Sequence, residues 1–300
     1  MNILFNASVC GLGTNGGSKT IIRCAETLQK LGHDVTIWAE VNKYNWHKIE
    51  IKLLKQDDYF NYTDVEILVS AWELPLRCTI KLCNKTYWYC RGWETWIHGE
   101  EWLIKQTELF VAMGGKIICN SSWLVNRFAE YSIPSELCFS GLDLDEWGND
   151  NQRSRTYPYY TGGMVYKRHK TKQSEMIEGV CRDERGQFID IKSGYSNKQL
   201  RAFYNRCDMW FSPTELEGFH NVAAEANLCG CLVFCNRLDS NGMGDYATEE
   251  TAMRYTGHDE LLACLDKPDY SKVAKMQDVL INKIGSRFEN MRRFVELIGG

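Results

Sequence analysis

The chain has 300 residues, 44% of them hydrophobic and 25% charged, which is ordinary for a globular protein and enough for one large core or two modest ones. A formal net charge of -4 and an isoelectric point near 5.9 exclude a global basic footprint for nucleic acid and leave room only for a local patch. Thirteen cysteines, odd in number, irregularly spaced and partly inside apolar runs such as KIICN and GCLVFC, argue against a disulfide framework and for a reducing, cytoplasmic setting; Cys229, Cys231 and Cys235 lack the paired knuckles and His partners of a zinc site.

The start, MNILFNASVCGLG, has neither a basic n-region nor a long apolar h-region, and no window approaches the ~18 consecutive apolar residues of a membrane span, so a soluble chain is expected. NILFNASV reads as a strand that breaks into the glycines of CGLGTNGGSK. TIIRCAETLQKLGH follows with Ile21, Ile22, Ala25, Leu28 and Leu31 on one helical face, ends at Gly32, and gives way to the strand DVTIWAE. Strand, glycine turn, helix and strand form a βαβ opening. VEILVS, KTYWYC and KIICN are further buried-strand candidates, and EEWLIKQTELFVAM and SSWLVNRFAEYS read as helices. The polar stretch FSGLDLDEWGNDNQRSRTYP marks a boundary, drawn between residues 148 and 149. The second half begins again with the strand YYTGGMVY and the basic turn KRHKTK. The helix NKQLRAFYNRC, the strand MWFSP, the helix HNVAAEANLCG and the strand CLVFC follow. DELLACL and the stretch from Val273 to Ile298 are helical. Strands alternating with helices in both halves predict two doubly wound α/β domains, residues 1–148 and 149–300, with the final amphipathic helix long enough to cross back onto the first.

The most informative run is SPTELEGFHNVAAEANLCGCLV. Its strand ends at Pro213, the chain turns through Glu215, Glu217 and Gly218, and a helix starting near His220 carries Glu225. Gly218 permits close backbone approach, and the open N–H groups of the helix start favour an anion such as a diphosphate. Two carboxylates beside an anion site do not ligate phosphate; they suit sugar and ribose hydroxyls, from which a carboxylate accepts strong hydrogen bonds. A bare helix N-terminus with acids suited to its macrodipole accounts for the acids but not for the whole run.

This run resembles the E-x7-E signature of retaining GT-B glycosyltransferases, particularly the family 4 type with its pattern P-S-x-x-E-G-F-G-x-x-x-x-E-A. Here it reads Pro213, Thr214, Glu215, Leu216, Glu217, Gly218, Phe219, His220, Asn221, then Glu225 and Ala226. The resemblance implies that Glu217 lies near the donor sugar with a catalytic role and that Glu225 holds the ribose hydroxyls. It also implies that the backbone of Gly218, Phe219, His220, Asn221 and Val222 cradles sugar and phosphate. Other segments are similar to the family in the same order. NGGSKTIIRCAETLQKLGHDVTIW resembles its amino-terminal glycine loop and G-H-x-V strand, CNSSWLVNRFAEYSIP with GLDLDEW the end of its acceptor domain, and YSNKQLRAFYNRCDMWFSPT the helix and strand before the glutamate motif.

In GGMVYKRHKTK the resemblance implies a catalytic Arg168 and Lys172 that hold the diphosphate and stabilise its growing charge, although the family's interval is wider, which leaves Lys167 and Lys170 as alternatives; a solvated basic loop is the rival reading. GLGTNGG does not carry G-x-G-x-x-G in register, with Gly13 and Gly16 three apart and only Glu40 available as a ribose acid. The resemblance instead puts Gly16 and Gly17 beside the donor phosphate and the acceptor, against the plain reading of a tight turn. In YWYCRGWETWIHGEEW, aromatic faces and nearby carboxylates suit carbohydrate or base stacking, or equally a core. Family members carry a His just after this strand; here Cys90, Arg91 and Gly92 stand there, so Arg91, Glu94 and His98 are the acceptor-side candidates. Gly242, Met243 and Gly244 of NGMGDYA either offer N–H groups to the donor or form an ordinary loop. Asp143–Glu146 reads as linker rather than a D-x-D metal site, and neither metal nor cofactor is expected.

The implied protein has a GT-B fold: two Rossmann-like domains facing a cleft, the second shortened, because only about two dozen residues separate Lys172 from the helix at Asn197. It is expected to be a retaining hexosyl- or pentosyltransferase, moving a sugar from a nucleotide-diphosphate donor to a hydroxyl acceptor (glycan, lipid-linked or small molecule). The alternatives are a virus-type transferase acting on a hydroxymethylated DNA base, a nucleotide-sugar epimerase, and a non-catalytic sugar-nucleotide binder.

Overall fold

The structure, a computed structural model, describes residues 1–8, 11–13, 15–42, 44, 47–55, 66–70, 85–93, 95, 99–150, 160–165, 187–190, 195–237 and 242–299. It divides into two compact units. One comprises Met1–Gly141 and Arg287–Gly300, the other Leu142–Ser286.

The first unit contains β1 (Asn2–Asn6), β2 (Leu12–Gly13), α1 (Gly16–Lys30), β3 (Asp34–Trp38), β4 (Val41–Asn42), β5 (Lys52–Leu54), β6 (Ile67–Ser70), β7 (Lys85–Cys90), α2 (Glu100–Ala112), β8 (Lys116–Cys119), α3 (Ser122–Ala129) and β9 (Glu136–Leu137). Seven strands form one parallel sheet in the order β5-β3-β1-β6-β7-β8-β9, and β2 pairs separately with β4. Strand order reverses between β1 and β6. In an open α/β sheet that reversal places a ligand crevice outside the carboxyl ends of the flanking strands, here beyond Asn6.

Helix α1 starts at Gly16, earlier than the periodicity of TIIRCAETLQKLGH indicates. Asn15 caps it, its side chain accepting the Ser18 N–H at 2.8 Å, so two glycines of low helix propensity are held in the first turn. Gly32, at φ +90°, follows the helix in the left-handed region. Ile21, Ile22, Ala25 and Leu28 face a core with Ile3, Phe5, Val35, Ile37 and Tyr89.

The second unit contains β10 (Thr161–Val165), β11 (Gln187–Asp190), α4 (Asn197–Arg206), β12 (Met209–Ser212), α5 (Asn221–Leu228), β13 (Leu232–Asn236), a 3-10 turn (Gly242–Asp245), β14 (Met253–Tyr255), α6 (His258–Asp266), α7 (Ser271–Val279) and a π-helical turn (Leu280–Ile284). Its parallel sheet has the order β11-β10-β12-β13-β14, with the switch between β10 and β12. β12 separates two layers. Met209 and Phe211 pack with Leu232, Phe234, Tyr255, Leu261 and Val273, while Trp210 meets Phe203 and Tyr204 of α4 edge-on at 6.0 and 4.8 Å. Gly162 serves the second layer, since a Cβ there would lie 2.5 Å from Cys207 Sγ and 3.2 Å from both Phe203 and Trp210.

The chain passes from the first unit to the second between Gly141 and Leu142, ahead of the 148/149 position read from composition. Residues 146–150 stay with the second unit because α4 captures them. Asn197 donates to Glu146 at 2.7 Å, Arg201 to Asp150 at 2.7 Å, and Asn205 Nδ2 to the Gly148 carbonyl at 2.9 Å. The last helix, α8 (Arg287–Gly299), belongs to the first unit, where Met291, Phe294 and Ile298 join the core and Phe294 packs on Phe5 and Tyr89 at 6.5 and 5.3 Å. No helix among the described residues is long and apolar enough to cross a membrane. The nine described cysteines are free, and eight of them are buried.

Candidate active site

In the second unit the fold brings the acidic run to the carboxyl end of β12, at the switch point. Pro213 has no N–H to extend the ladder and ends the strand; its carbonyl accepts from the Asn236 side-chain amide at the end of β13. The turn that follows is held by its own side chains. Thr214 Oγ1 donates to Glu217 Oε1 at 3.4 Å, and His220 Nε2 lies 3.7 Å from the same oxygen. His220 stands at the N-cap of α5 without a side-chain cap bond, and no acidic residue occupies the first helical turn. The helix start therefore turns its positive dipole end toward the acidic turn with no acid of its own to offset it. Val222–Leu228 are all buried, Glu225 among them at 5% exposure, so this carboxylate lies inside a helix with almost no wet face. Glu217–Val222 thus run without a break from the turn into α5, and Glu225 follows inside that helix.

The loop of Gly242–Tyr246, which the sequence left open between a donor contact and an ordinary loop, packs on this turn. The Gly242 N–H donates to the Glu217 carbonyl at 2.9 Å, the Tyr246 hydroxyl donates to the His220 carbonyl at 2.7 Å, and the Tyr246 ring packs on Phe219 at 5.2 Å. Burial, followed by the charges of Cys235, Asp245 and Glu225, pushes the Tyr246 phenol well above the usual tyrosine range.

In the first unit the glycine turn lies beyond the carboxyl end of β1. Gly13 donates its N–H to Ser18 Oγ at 3.0 Å, and Thr20 Oγ1 donates to the Gly16 carbonyl at 2.9 Å. Arg91, which follows β7, crosses to this turn and donates from Nη1 to the Gly17 carbonyl at 2.7 Å. Gly16, Gly17 and Arg91 are thereby brought together. Lys19, in the first turns of α1, is 4% exposed. Trp88 and Trp93 are buried against Phe128 at 5.6 and 5.1 Å, which makes these two tryptophans core residues. Glu94, His98, Lys167, Arg168, Lys170 and Lys172 lie outside the described residues. Among the described residues no three His, Cys, Asp or Glu side chains group so that they could hold a metal ion.

No known protein-family model matches the sequence, and no curated protein does. Solved structures match over the whole chain. Sucrose-phosphate synthase from Thermosynechococcus elongatus superposes with a TM-score of 0.74 at 12% identity, covering 99% of this chain and 98% of that one. HepE of Anabaena, in complex with UDP and glucose, gives 0.72 at 11% identity over 100% and 99% of the two chains. An alpha-glucosyltransferase in complex with UDP and a 13-mer DNA containing an HMU base gives 0.65 at 11% identity over the whole of both chains. The fold is GT-B. At these identities the likeness is one of architecture, and it agrees with the sheet orders described above.

Proposed function

We propose that this protein is a retaining glycosyltransferase that moves a hexosyl or pentosyl group from a nucleotide-diphosphate donor to a hydroxyl acceptor. The observation that carries the reading is the acidic turn at the switch point of the second unit. There, two carboxylates accompany the positive dipole end of α5, whose first turn carries no acid. Glu217 takes the donor sugar, Glu225 the ribose hydroxyls, and the backbone of Gly218–Val222 the sugar and phosphate. Arg168 and Lys172 neutralise the diphosphate as it leaves. The family 4-like run from Pro213 to Ala226 supports retention by same-face attack, and it supports the same division of labour between the carboxylates.

Because two cations and a helix dipole already stabilise the leaving group, transfer needs no metal and is expected to continue in a chelator. The test is a turnover and thermal-shift screen against UDP-, ADP-, GDP- and TDP-sugars, with the anomeric configuration of the product read by NMR. Glycan, lipid-linked and hydroxymethylated-DNA acceptors are run in parallel. Product that forms from donor alone and is merely rearranged indicates an epimerase. Saturable binding without turnover on any acceptor indicates a binding protein. Either outcome removes the proposal.

A further inference from the structure

The segment Gly242–Tyr246 touches the glutamate turn at three successive points. It meets the Glu217 carbonyl through the Gly242 N–H (2.9 Å), Phe219 through the Tyr246 ring (5.2 Å), and the His220 carbonyl through the Tyr246 hydroxyl (2.7 Å). The segment is itself fixed. Tyr246 and Ala247 donate their N–H groups to the Met243 carbonyl at 3.0 and 2.7 Å, and Thr251 Oγ1 donates to the Tyr246 carbonyl at 2.6 Å. From the π-helical turn, Lys283 Nζ reaches the Asp245 carbonyl at 2.8 Å. Gly242 therefore spends its N–H inside the protein rather than on a ligand.

We propose that Tyr246 is a positioning residue that sets the geometry of the acidic turn from behind. It fixes the direction of the His220 carbonyl and, together with the Gly242 N–H on the Glu217 carbonyl, the place of Glu217, which this reading puts at the donor sugar rather than the nucleotide. Its link to catalysis rests on the glycosyltransferase reading; its hold on the turn does not. The hydroxyl remains a donor throughout the neutral range because burial keeps it protonated. A loosely held site loses rate rather than affinity when the displaced group acts mainly in the transition state.

The test compares Tyr246→Phe, which keeps the ring and deletes one hydrogen bond, with Tyr89→Phe. Tyr89 makes a comparable buried hydroxyl contact, 2.8 Å to Ser140 in the first unit, and serves as the control. Amide hydrogen exchange over residues 214–222 is expected to accelerate in Tyr246→Phe and not in Tyr89→Phe. With the best donor of the nucleotide-sugar panel, kcat is expected to fall roughly 10- to 100-fold in Tyr246→Phe, while the Kd for the matching nucleoside diphosphate stays within about twofold. Unchanged exchange over 214–222 overturns the proposal, and so does a wild-type kcat in a variant whose melting temperature drops as far as that of Tyr89→Phe. Accelerated exchange in a protein that transfers no sugar upholds the clamp and removes the catalytic reading instead.

Discussion

Glu225 is a carboxylate in a helix whose other members from Val222 to Leu228 are all buried. The proposed function gives this carboxylate the ribose hydroxyls, from which it would accept strong hydrogen bonds. Glu225→Ala and Lys172→Ala are each expected to lower kcat/KM by roughly 10²–10³, the scale of losing one preorganised polar contact, with far-UV spectra unchanged. The strand, turn and helix that carry Glu217 and Glu225 were legible in the sequence because the apolar run, the Pro213 stop and the glycine turn follow one another without a break. Tyr246 was not. Its partner His220 lies 26 positions away, and nothing in GMGDYATEE distinguishes a clamp from a loop. A second buried acid, Glu26 of α1, gives a prediction of another kind. Burial raises its pKa, but the His47 hydrogen bond, the Glu50 N–H, and the charges of His47 and Arg23 together outweigh that and hold the carboxyl below its ordinary 4.5. A depressed carboxyl pKa stabilises the fold above the unfolded value, and that contribution is lost as pH falls below about 4.5. Glu26→Gln should therefore show a shallower decline of melting temperature than the parent protein as pH falls below about 4.5.

The helices with a strong apolar stripe, such as α1, and the strands with an unbroken apolar stretch, such as β1, β7 and β13, were readable because their burial pattern is written in consecutive residues. β2, β4 and β9 have two residues each, too few to show any period, and β14 has three. β11, Gln187–Asp190, was missed because it follows the charged RDERG and carries only two apolar residues. Caps explain the displaced start of α1, and they can be measured. Asn15→Ala is expected to cost about 1 kcal/mol in chemical denaturation, and it should also loosen the turn that holds Gly16 and Gly17. Close packing at β10 gives a sharper test. Gly162→Ala drives a methyl group against Cys207, Phe203 and Trp210 and should destabilise by about 1–3 kcal/mol, read as a lower denaturant midpoint at unchanged m-value.

On the scale of the molecule, the two sheet orders matter more than the number of strands, since each puts its switch point at a loop that the sequence had already singled out: the glycine turn after β1 and the acidic turn after β12. The last helix ties the end of the chain to the beginning. Met291, Phe294 and Ile298 are fully buried in the first unit, and at about 1.5–3 kcal/mol each their loss approaches the ~5–15 kcal/mol that holds a domain folded. Ending the chain at Ser286 should therefore abolish cooperative unfolding of residues 1–141 while hydrogen exchange in β12 and β13 stays slow.

The buried thiols have a use beyond packing. Cys24, Cys90, Cys119 and Cys138 lie in the first unit, and Cys207, Cys229, Cys231 and Cys235 in the second, with Cys138 and Cys235 pushed up to about 12 mainly by burial. Such groups are inert to alkylation while their surroundings stay closed. Timed alkylation followed by peptide mapping would turn them into two sets of internal clocks, recording separately when each unit opens and whether a nucleotide sugar slows one set, the other, or both.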